Sequence, residues 1–370
     1  MTAQHHDAWR QSRWRSELRR KLLAWFTSHA REMPWRSDPT PYRVWVSEIM
    51  LQQTQVATVL PYYERWMKSF PSVAHLADAD EAELMRHWEG LGYYRRVRSM
   101  HAAAKKIVQD HGGIFPLNYE DVLALPGVGR YTAGAVLSIS TDAKLPVLEG
   151  NTQRVYSRWI GLRDSPTEKE ANKLLWELAE KILPRRGSGQ LNQAAMELGS
   201  LVCLPRNPDC DSCPVRGHCR TNELGLQDLI PGKIKRIQYE DRTEFALILM
   251  NRKQGVDRYL ARPLPDGGRW AGLWDFPRCT EPATESVDAA AAWLSEQLDT
   301  VVAPGPQLKT IRHAVTKYRI SLHIHQVSLA AGQRFVPKHH DSLWRWVTLD
   351  ELENLPMSVT GRKIVKLLTL

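Results

Sequence analysis

The sequence lacks any apolar run long enough to cross a membrane. No window of its 370 residues approaches the roughly 18 to 20 uninterrupted apolar residues of a spanning helix. The first residues, MTAQHHDAWRQSRWRSELRRK, also lack the apolar core of a signal peptide. Both absences predict a soluble protein of the cytoplasm.

Acidic residues are too few to balance the basic ones. Lys and Arg number 50 against 41 Asp and Glu, a formal net charge of +9, and the pI is about 9.3. This balance is typical of proteins that bind polyanions, so nucleic acid is a candidate partner. Composition alone leaves a generic basic protein equally open.

Cysteine is scarce, but four of the five cysteines lie close together. Cys203, Cys210, Cys213 and Cys219 follow the spacing C-x6-C-x2-C-x5-C. Because disulfides are rare in reducing cytoplasm, a metal centre is the better interpretation. Structural zinc sites usually have shorter and more symmetric intervals, so the spacing makes an iron-sulfur cluster at least as good a candidate as zinc.

The chain is too long for one typical domain, and its pattern of apolar and polar residues changes along its length. Residues 1–222 show apolar positions recurring every three and four residues, which predicts a mainly helical domain. A charged stretch with a Pro-Gly pair at 223–242 predicts a connector. Residues 243–370 contain short β-type runs such as EFALILM and one helical segment, which predicts an α+β domain.

Two glycines interrupt the helical pattern in LPGVGRYTAGAVLS, residues 125–138. Such a turn would let the backbone N–H groups at Gly127 and Gly129 approach a phosphate, next to the N-terminus of the following helix. The pattern at 118–137 therefore predicts a helix-hairpin-helix motif, with a plain interhelical corner as the alternative. Upstream, GLGYYRRVRSMHAAAKK at 90–106 combines two tyrosines with Arg95 and other arginines. These residues suit base stacking and phosphate contacts, or else form a solvated basic helix face.

Two carboxylates occur where the neighbouring residues are apolar. Glu48 lies within PYRVWVSEIMLQQTQV, where burial would raise its pKa toward that of a general acid at neutral pH. As a lone helical glutamate it would more often be a surface residue. Glu149 in LPVLEGN precedes a Gly-Asn turn, which suits either a helix N-cap or a charge held for chemistry.

Taken together and in order, Glu48 with LQQTQV, GLGYY, LPGVGRYTAG, the Glu149-Gly-Asn turn and the four-cysteine loop resemble the MutY-type adenine DNA glycosylases of the helix-hairpin-helix superfamily. The resemblance implies excision of adenine mispaired with 8-oxoguanine or guanine in double-stranded DNA. It implies a [4Fe-4S] cluster on the four cysteines and a C-terminal Nudix-like domain that recognises 8-oxoguanine. A monomer bound to the bacterial nucleoid is the implied setting.

The same resemblance implies roles for the catalytic residues. Glu48 takes the acid/base position that protonates the leaving adenine, which has been flipped out of the duplex. Glu149 takes the position of the carboxylate that stabilises the cationic sugar, where the family usually has Asp, so this side chain is one methylene longer. Asn151 matches a residue that supports this carboxylate. Tyr131 occupies the position of the Schiff-base lysine of bifunctional relatives, which implies monofunctional chemistry.

Further positions match the family's substrate contacts. Those around the flipped adenine are Trp35, Arg36, Leu51 and Gln193. Gln53 and Tyr93 match residues that fill and probe the opposite side of the base stack. The residues expected at DNA phosphates are Gly127, Gly129 and Arg95.

In the second domain, residues 261–278 resemble the family's R-P-x-x-G-L-W-x-G-L-W-x-F-P stretch, but no Glu-rich Nudix helix follows. Pyrophosphate hydrolysis is therefore not expected. Where the family commonly has His-x-Phe-Ser-His, this chain has His313-Ala314-Val315-Thr316-Lys317, and Thr316 retains the hydroxyl. The alternatives are another mismatch glycosylase of the superfamily, a lesion-binding protein whose catalysis is weakened by Glu149, and a free-standing Nudix hydrolase.

Overall fold

The computed structural model describes residues 7–233, 238–265, 267–280, 285–335 and 343–369. Within these ranges no helix combines the length and the apolar character needed to cross a membrane. The chain forms two compact units. The first comprises Met1–Ala79 and Arg98–Lys235, and the second comprises Asp80–Val97 and Arg236–Leu370.

Helices make up most of the chain before the connector. They are α1 (Ser12–His29), α2 (Pro34–Ser37), α3 (Pro41–Leu51), α4 (Val56–Ser69), α5 (Val73–Asp78), α6 (Glu81–Trp88), α7 (Arg95–His111), α8 (Tyr119–Leu123), α9 (Arg130–Thr141), α10 (Gly150–Ile160), α11 (Lys169–Lys181), α12 (Ser188–Leu201) and α13 (Arg220–Leu224), with 3-10 helices at Asp7–Arg10 and Arg216–His218. Helix α6 belongs to the second unit, and the division falls within α7.

One hydrophobic cluster in the core of the first unit is built from α1, α10, α11 and α12. On α10, Val155 and Trp159 are four residues apart on one helix face and are both buried. The helix ends at Gly161, whose φ of +71° suits a glycine C-cap. Helix α3 is apolar around most of its circumference and packs against α4 and α9, so even Ser47 and Glu48 are buried.

The second unit contains a mixed sheet. Its strands and later helices are β1 (Glu240–Lys253), β2 (Val256–Pro263), β3 (Trp274–Asp275), β4 (Arg278–Cys279), α14 (Val287–Leu298), β5 (Val302–Val315), β6 (Tyr318–Leu329), β7 (Arg345–Val347), α15 (Leu349–Asn354) and α16 (Val359–Leu368). The strand order is β3-β2-β1-β6-β5, β4 also pairs with β1, and β7 pairs with β2. Strands β1 and β6 run parallel, while the other pairs are antiparallel.

Strand β1 is buried on both faces of this sheet. Phe245, Leu247 and Leu249 pack in the cluster that contains α14, whereas Ala246 and Ile248 pack in the cluster that contains α15 and α16. This two-sided burial explains why the strand has a continuous apolar run instead of an alternating pattern. The helical N-terminal part and the α+β C-terminal part confirm the predicted fold class.

The domain assignment differs from the sequence-based one in one segment. Residues 80–97 were expected within the helical domain, but they pack with the second unit. Their contacts connect them to residues more than 250 positions later, such as Arg362. Local sequence patterns carry no information on such a contact. The predicted connector at 223–242 includes residues 234–237, which lie outside the described residues.

Candidate active site

Glu48 is a buried carboxyl on α3. Thr40 caps the start of this helix, and Pro41 occupies its first turn. The residue is 6% exposed, and the Tyr131 hydroxyl donates a hydrogen bond of 2.5 Å to its Oε2 atom. Burial raises the pKa of Glu48 to about 7, with a further increase from the charge of Glu149, although Tyr131 and Arg36 oppose this increase. A carboxyl with this pKa can carry or release a proton at neutral pH.

Tyr131 lies in the first turn of α9, directly after the two-glycine turn. Its pKa is raised well above the ordinary value, first by burial and then by the charges of Glu48 and Glu149. Its hydroxyl also lies 3.6 Å from the sulfur of Met196. The side chain therefore remains a protonated phenol that donates to Glu48.

Glu149 is the N-cap of α10. Its Oε2 accepts from the Asn151 backbone N–H at 2.8 Å and its Oε1 from the Thr152 N–H at 2.9 Å, while the Thr152 hydroxyl accepts from the Glu149 N–H at 2.8 Å. This is a capping box. Burial raises the pKa of Glu149, and the two backbone N–H donors oppose that increase.

These carboxylates share one cavity of about 990 Å³. The predicted site residues that line it are Trp35, Arg36, Glu48, Leu51, Gln53, Gly127, Gly129, Tyr131, Glu149, Asn151 and Gln193. The cavity lies at the upper end of the range for small-molecule sites and offers room for a base with its sugar. Two acidic groups in one partly closed space suit proton transfer combined with stabilisation of a cation.

Sequence reasoning missed the charged group that orients Arg36. Glu197 on α12 is 2% exposed and accepts hydrogen bonds from Arg31 Nε at 2.8 Å, Arg31 Nη2 at 2.9 Å and Arg36 Nη2 at 2.9 Å. Although burial would raise it, hydrogen bonds from Arg31 and Arg36 lower the pKa of Glu197 to about 2. Both Arg31 and Glu197 line the cavity. The sequence could have indicated Glu197, because it is four residues after Gln193 and so lies on the same helix face.

The two-glycine turn connects α8 to α9, as expected for a helix-hairpin-helix. Gly127 has a φ of +75°, and a Cβ atom there would lie 2.5 Å from the Ser99 Cβ. Gly129 is the N-cap of α9 with an ordinary φ of −105°. Among the described residues no side chain caps this helix, so its first N–H groups are available to an anion.

Backbone strain occurs at three of the predicted DNA contacts, Gln53, Tyr93 and Thr316. Gln53 and Tyr93 adopt left-handed conformations, with φ of +57° and +46°, which non-glycine residues rarely occupy. Gln53 lines the cavity. Tyr93, which is 52% exposed, and the exposed Arg95 belong to the second unit.

Thr316 also belongs to the second unit. It lies in the tight turn between β5 and β6 with a φ of +51° and is exposed. Its hydroxyl donates to the Val315 carbonyl at 2.7 Å. The next residue, Lys317, forms an ion pair of 2.5 Å with Glu240.

The four clustered cysteines line a second cavity, together with side chains that include Arg158 and Asp209. Among the described residues, no three His, Cys, Asp or Glu side chains converge closely enough for a single metal ion. Four thiols around one space are a ligand set that an iron-sulfur cluster or a zinc ion can use. When bound, such a cluster would supply four iron-thiolate bonds that cross-link the loop after α12 to the start of α13.

One buried cation lies beside these thiols. Arg158 on α10 is 2% exposed, and its Nη1 donates to Cys203 Sγ at 3.3 Å and to the Leu204 carbonyl at 2.7 Å. The Cys219 thiol donates to the Arg158 carbonyl at 3.3 Å. A guanidinium in this position suits the negative charge that cysteine thiolates carry when they bind iron.

Family models match three parts of the chain. Residues 46–181 match the HhH-GPD superfamily base excision DNA repair protein model, residues 246–367 match the NUDIX domain, and residues 203–219 match the iron-sulfur binding domain of endonuclease III. The cysteine loop is therefore a [4Fe-4S] cluster site.

Individual proteins give the same result. The adenine DNA glycosylase of Rattus norvegicus is 33% identical over 94% of this chain and 77% of the relative. That of Buchnera aphidicola subsp. Schizaphis graminum is 30% identical over 87% of this chain and 91% of the relative. The solved structure of a thermostable thymine-DNA glycosylase is 26% identical and superposes with a TM-score of 0.52 over 57% of this chain and 98% of that one. By its domains, its cluster loop and these relatives, the chain belongs to the MutY-type adenine DNA glycosylases.

Proposed function

We propose that this enzyme excises adenine mispaired with 8-oxoguanine or guanine in double-stranded DNA, by base flipping and monofunctional hydrolysis of the N-glycosidic bond. The observation that carries the proposal is the pair of buried carboxyls in one cavity, Glu48 with a pKa of about 7 and Glu149 on a helix N-terminus.

Glu48 is the proton donor in this proposal. Adenine is a poor leaving group as an anion, and protonation of its imidazole ring removes that difficulty. At neutral pH a substantial fraction of Glu48 carries a proton because burial disfavours its charged form. The Tyr131 hydroxyl holds the carboxyl in position and supports its anion after the proton has left.

Glu149 stabilises the positive sugar that forms as the base departs. Burial raises the pKa of Glu149, while two backbone N–H groups and the partial positive charge of the α10 N-terminus favour its ionised form. Asn151 supports this carboxylate through its backbone N–H, and Arg154 donates to the Asn151 side chain at 2.9 Å. A fixed anion beside a developing cation lowers the barrier more than it stabilises the bound substrate.

Water completes the reaction because the cavity wall offers a phenol where bifunctional relatives offer an amine. The raised pKa of Tyr131 keeps it protonated, so it is neither a Schiff-base former nor an activated nucleophile. Glu48, once deprotonated, can then accept a proton from the attacking water.

The remaining site residues are assigned to three parts of the substrate: the flipped adenine, the opposite base and the phosphates. Trp35, Arg36, Leu51 and Gln193 surround the flipped adenine, with Glu197 orienting Arg36. Gln53, Tyr93 and Thr316 contact the opposite base and the emptied stack. Gly127, Gly129 and Arg95 bind phosphates.

Single-turnover excision tests this proposal directly. The substrates are duplexes with adenine opposite 8-oxoguanine, adenine opposite guanine and thymine opposite guanine. Adenine release should be fastest opposite 8-oxoguanine, borohydride should trap little covalent complex, and Glu48→Gln should reduce excision ~100-fold or more.

The thymine duplex tests a second candidate, because a thymine-DNA glycosylase shares the helical fold. Preferred thymine release would replace the proposal with a thymine-mismatch activity. Efficient borohydride trapping would show that a lysine acts as the nucleophile. Tight binding to the adenine duplexes without turnover would make the protein a lesion binder.

A further inference from the structure

The segment that presents Tyr93 follows an unusual backbone path. Between Glu89 and Tyr94, three residues have positive φ: Gly90 at +99°, Gly92 at +69° and Tyr93 at +46°. Glycine adopts such angles freely, whereas they strain the backbone of a tyrosine. The tyrosine ring is nevertheless 52% exposed. A strained and exposed aromatic residue keeps its conformation only if its surroundings hold the backbone firmly.

Part of that support is internal to the segment. The Trp88 indole donates to the Gly92 carbonyl at 3.0 Å. The Arg96 guanidinium donates to the carbonyls of Leu91 and Gly92 at 3.0 and 3.2 Å and lies 5.7 Å from the centre of the Tyr93 ring. These contacts join the turn to the end of α6 and the start of α7.

A further attachment joins Glu89, at the start of this turn, to α16 at the far end of the chain. Arg362 Nε donates to Glu89 Oε1 at 2.7 Å and Nη2 to Oε2 at 2.8 Å, a bidentate pair across 273 positions. Both side chains are about one-fifth exposed. Arg362 also donates to the carbonyls of Leu352 and Leu355 at 2.9 and 2.8 Å, which fixes its guanidinium at the end of α15.

A second contact lies on the other side of Tyr93. The buried Tyr94 hydroxyl donates to the Met357 carbonyl, in the link between α15 and α16, at 3.4 Å. The strained turn is thus held at both ends by one helical corner of the second unit. A partly buried, bidentate Arg–carboxylate pair has more geometric specificity than an exposed ion pair.

We propose that Glu89 and Arg362 are positioning residues that hold Tyr93 for its contact with DNA opposite the excised adenine. Through this anchor, the Nudix-like unit contributes to recognition of the opposite base in addition to the turn that carries Thr316. The inference rests on the proposed function, and neither Glu89 nor Arg362 needs to touch DNA.

A double-mutant cycle between Glu89 and Tyr93 tests the inference in the full-length, cluster-bearing protein. Glu89→Ala, Tyr93→Ala and the double variant are compared by single-turnover excision of adenine opposite 8-oxoguanine and opposite guanine. Glu89→Ala should reduce the preference for 8-oxoguanine about fivefold, and it should have little further effect once Tyr93 is alanine, because residues that act through one another are not additive. Arg86→Ala is the matched control, since Arg86 lies on α6 three residues before Glu89 and donates to the Asn354 carbonyl at 3.4 Å.

Equal losses from Glu89→Ala in both backgrounds would mean a merely structural role and would overturn the inference. Glu89→Gln, which keeps the size and one acceptor oxygen, repeats the cycle if the alanine variant melts early. The same double-mutant cycle can be measured by binding alone, with the affinity for a duplex that carries an uncleavable adenine analogue opposite 8-oxoguanine. A wild-type protein that binds this duplex but releases no adenine contradicts the proposed function, while the binding cycle still decides whether Glu89 acts through Tyr93.

Discussion

Individual carboxyls in this enzyme differ in protonation because their surroundings differ. Glu48 and Glu197 are both buried, yet the pKa of Glu48 is raised to about 7 and that of Glu197 is lowered to about 2. Glu48 has a phenol as its hydrogen-bond donor, whereas Glu197 has two guanidinium groups. One carboxyl is therefore available as an acid, and the other is a permanent anion that orients Arg36.

The raised pKa of Glu48 lowers the stability of the folded protein at pH values where this buried carboxyl is ionised. Because its folded pKa lies above the unfolded value, its contribution to stability is fully present below pH 4.5 and is lost as the pH rises through about 7. We expect Glu48→Gln to unfold at a higher temperature than the wild type at pH 8, by an amount equivalent to about 3 kcal/mol. The gain should shrink toward pH 5, as thermal melting at both pH values will measure. The exposed Glu180→Gln serves as control, and a pH-independent gain would contradict this assignment.

Glu149 is the N-cap of α10 and is also the proposed stabiliser of the sugar cation, and substitution can separate these two roles. As an N-cap its loss should cost about 1 kcal/mol of stability, whereas a fixed anion beside the sugar should be worth ~100-fold or more in rate. Glu149→Gln should therefore lose excision by that factor with little change in melting temperature, and Glu149→Asp should retain or raise the rate. The measurements are single turnover and thermal melting. A Gln variant that melts early yet excises adenine normally would leave only the cap.

The N-termini of α9 and α10 both present backbone N–H groups that can stabilise an anion. The N-terminus of α10 carries a carboxylate as its cap, so its partial positive charge serves Glu149. The N-terminus of α9 begins with glycine and leaves its N–H groups to an external anion. The same backbone feature thus supports an internal anion at one helix and is proposed to bind a DNA phosphate at the other.

The turn before α9 requires glycine at one position more than at the other. Gly127→Ala should destabilise the protein by roughly 1 to 3 kcal/mol, because its φ is +75° and a Cβ would overlap Ser99. Gly129→Ala should barely change the melting temperature, since its φ is ordinary and no described atom lies within 4 Å of the added Cβ. Thermal melting of both variants gives the comparison, and equal destabilisation would contradict the steric argument.

The chain forms two units, to which the proposed function assigns different tasks. The first contains the catalytic cavity and the cluster loop, and the second contains the Thr316 turn together with the Tyr93 segment. The cluster loop extends the first unit beyond its last long helix, where the chain otherwise has few regular elements.

Iron should be a resident component of the purified protein. Protein prepared anaerobically should contain about four iron and four sulfide per chain. Cys203→Ala should lose them, while Cys279→Ala should keep them because Cys279 is buried in the second unit. Iron and sulfide analysis measures both. Stoichiometric zinc without sulfide would contradict the cluster assignment.

Removing residues 243–370 should leave adenine excision but reduce the preference for 8-oxoguanine over guanine. The truncation removes Thr316 and also Arg362, so the Tyr93 segment loses its anchor. We therefore expect a larger loss of preference than Thr316→Ala causes in the full-length protein, measured by single turnover on both duplexes. Equal preference in the truncated and full-length proteins would contradict this division of tasks.

Local patterns were sufficient for features that depend on neighbours along the chain. The apolar residues around Glu48 made burial one of two options for it, and LPVLEGN offered the N-cap as one of two roles for Glu149, because helix burial and capping involve residues within about four positions. The cysteine spacing restricted the metal centre to few types. Short β-type runs such as EFALILM, together with the one helical segment that became α14, predicted an α+β domain.

Tertiary packing decided everything that joins distant positions. Glu197 meets Arg31 from 166 positions away, and Glu89 meets Arg362 from 273 positions away. The pKa of Glu48 depends on Tyr131, Glu149 and Arg36, which lie on three other elements or helix ends. The physical reason is that desolvation and ion pairing depend on distance in space, and spatial proximity between remote segments arises only when the helices and the sheet pack.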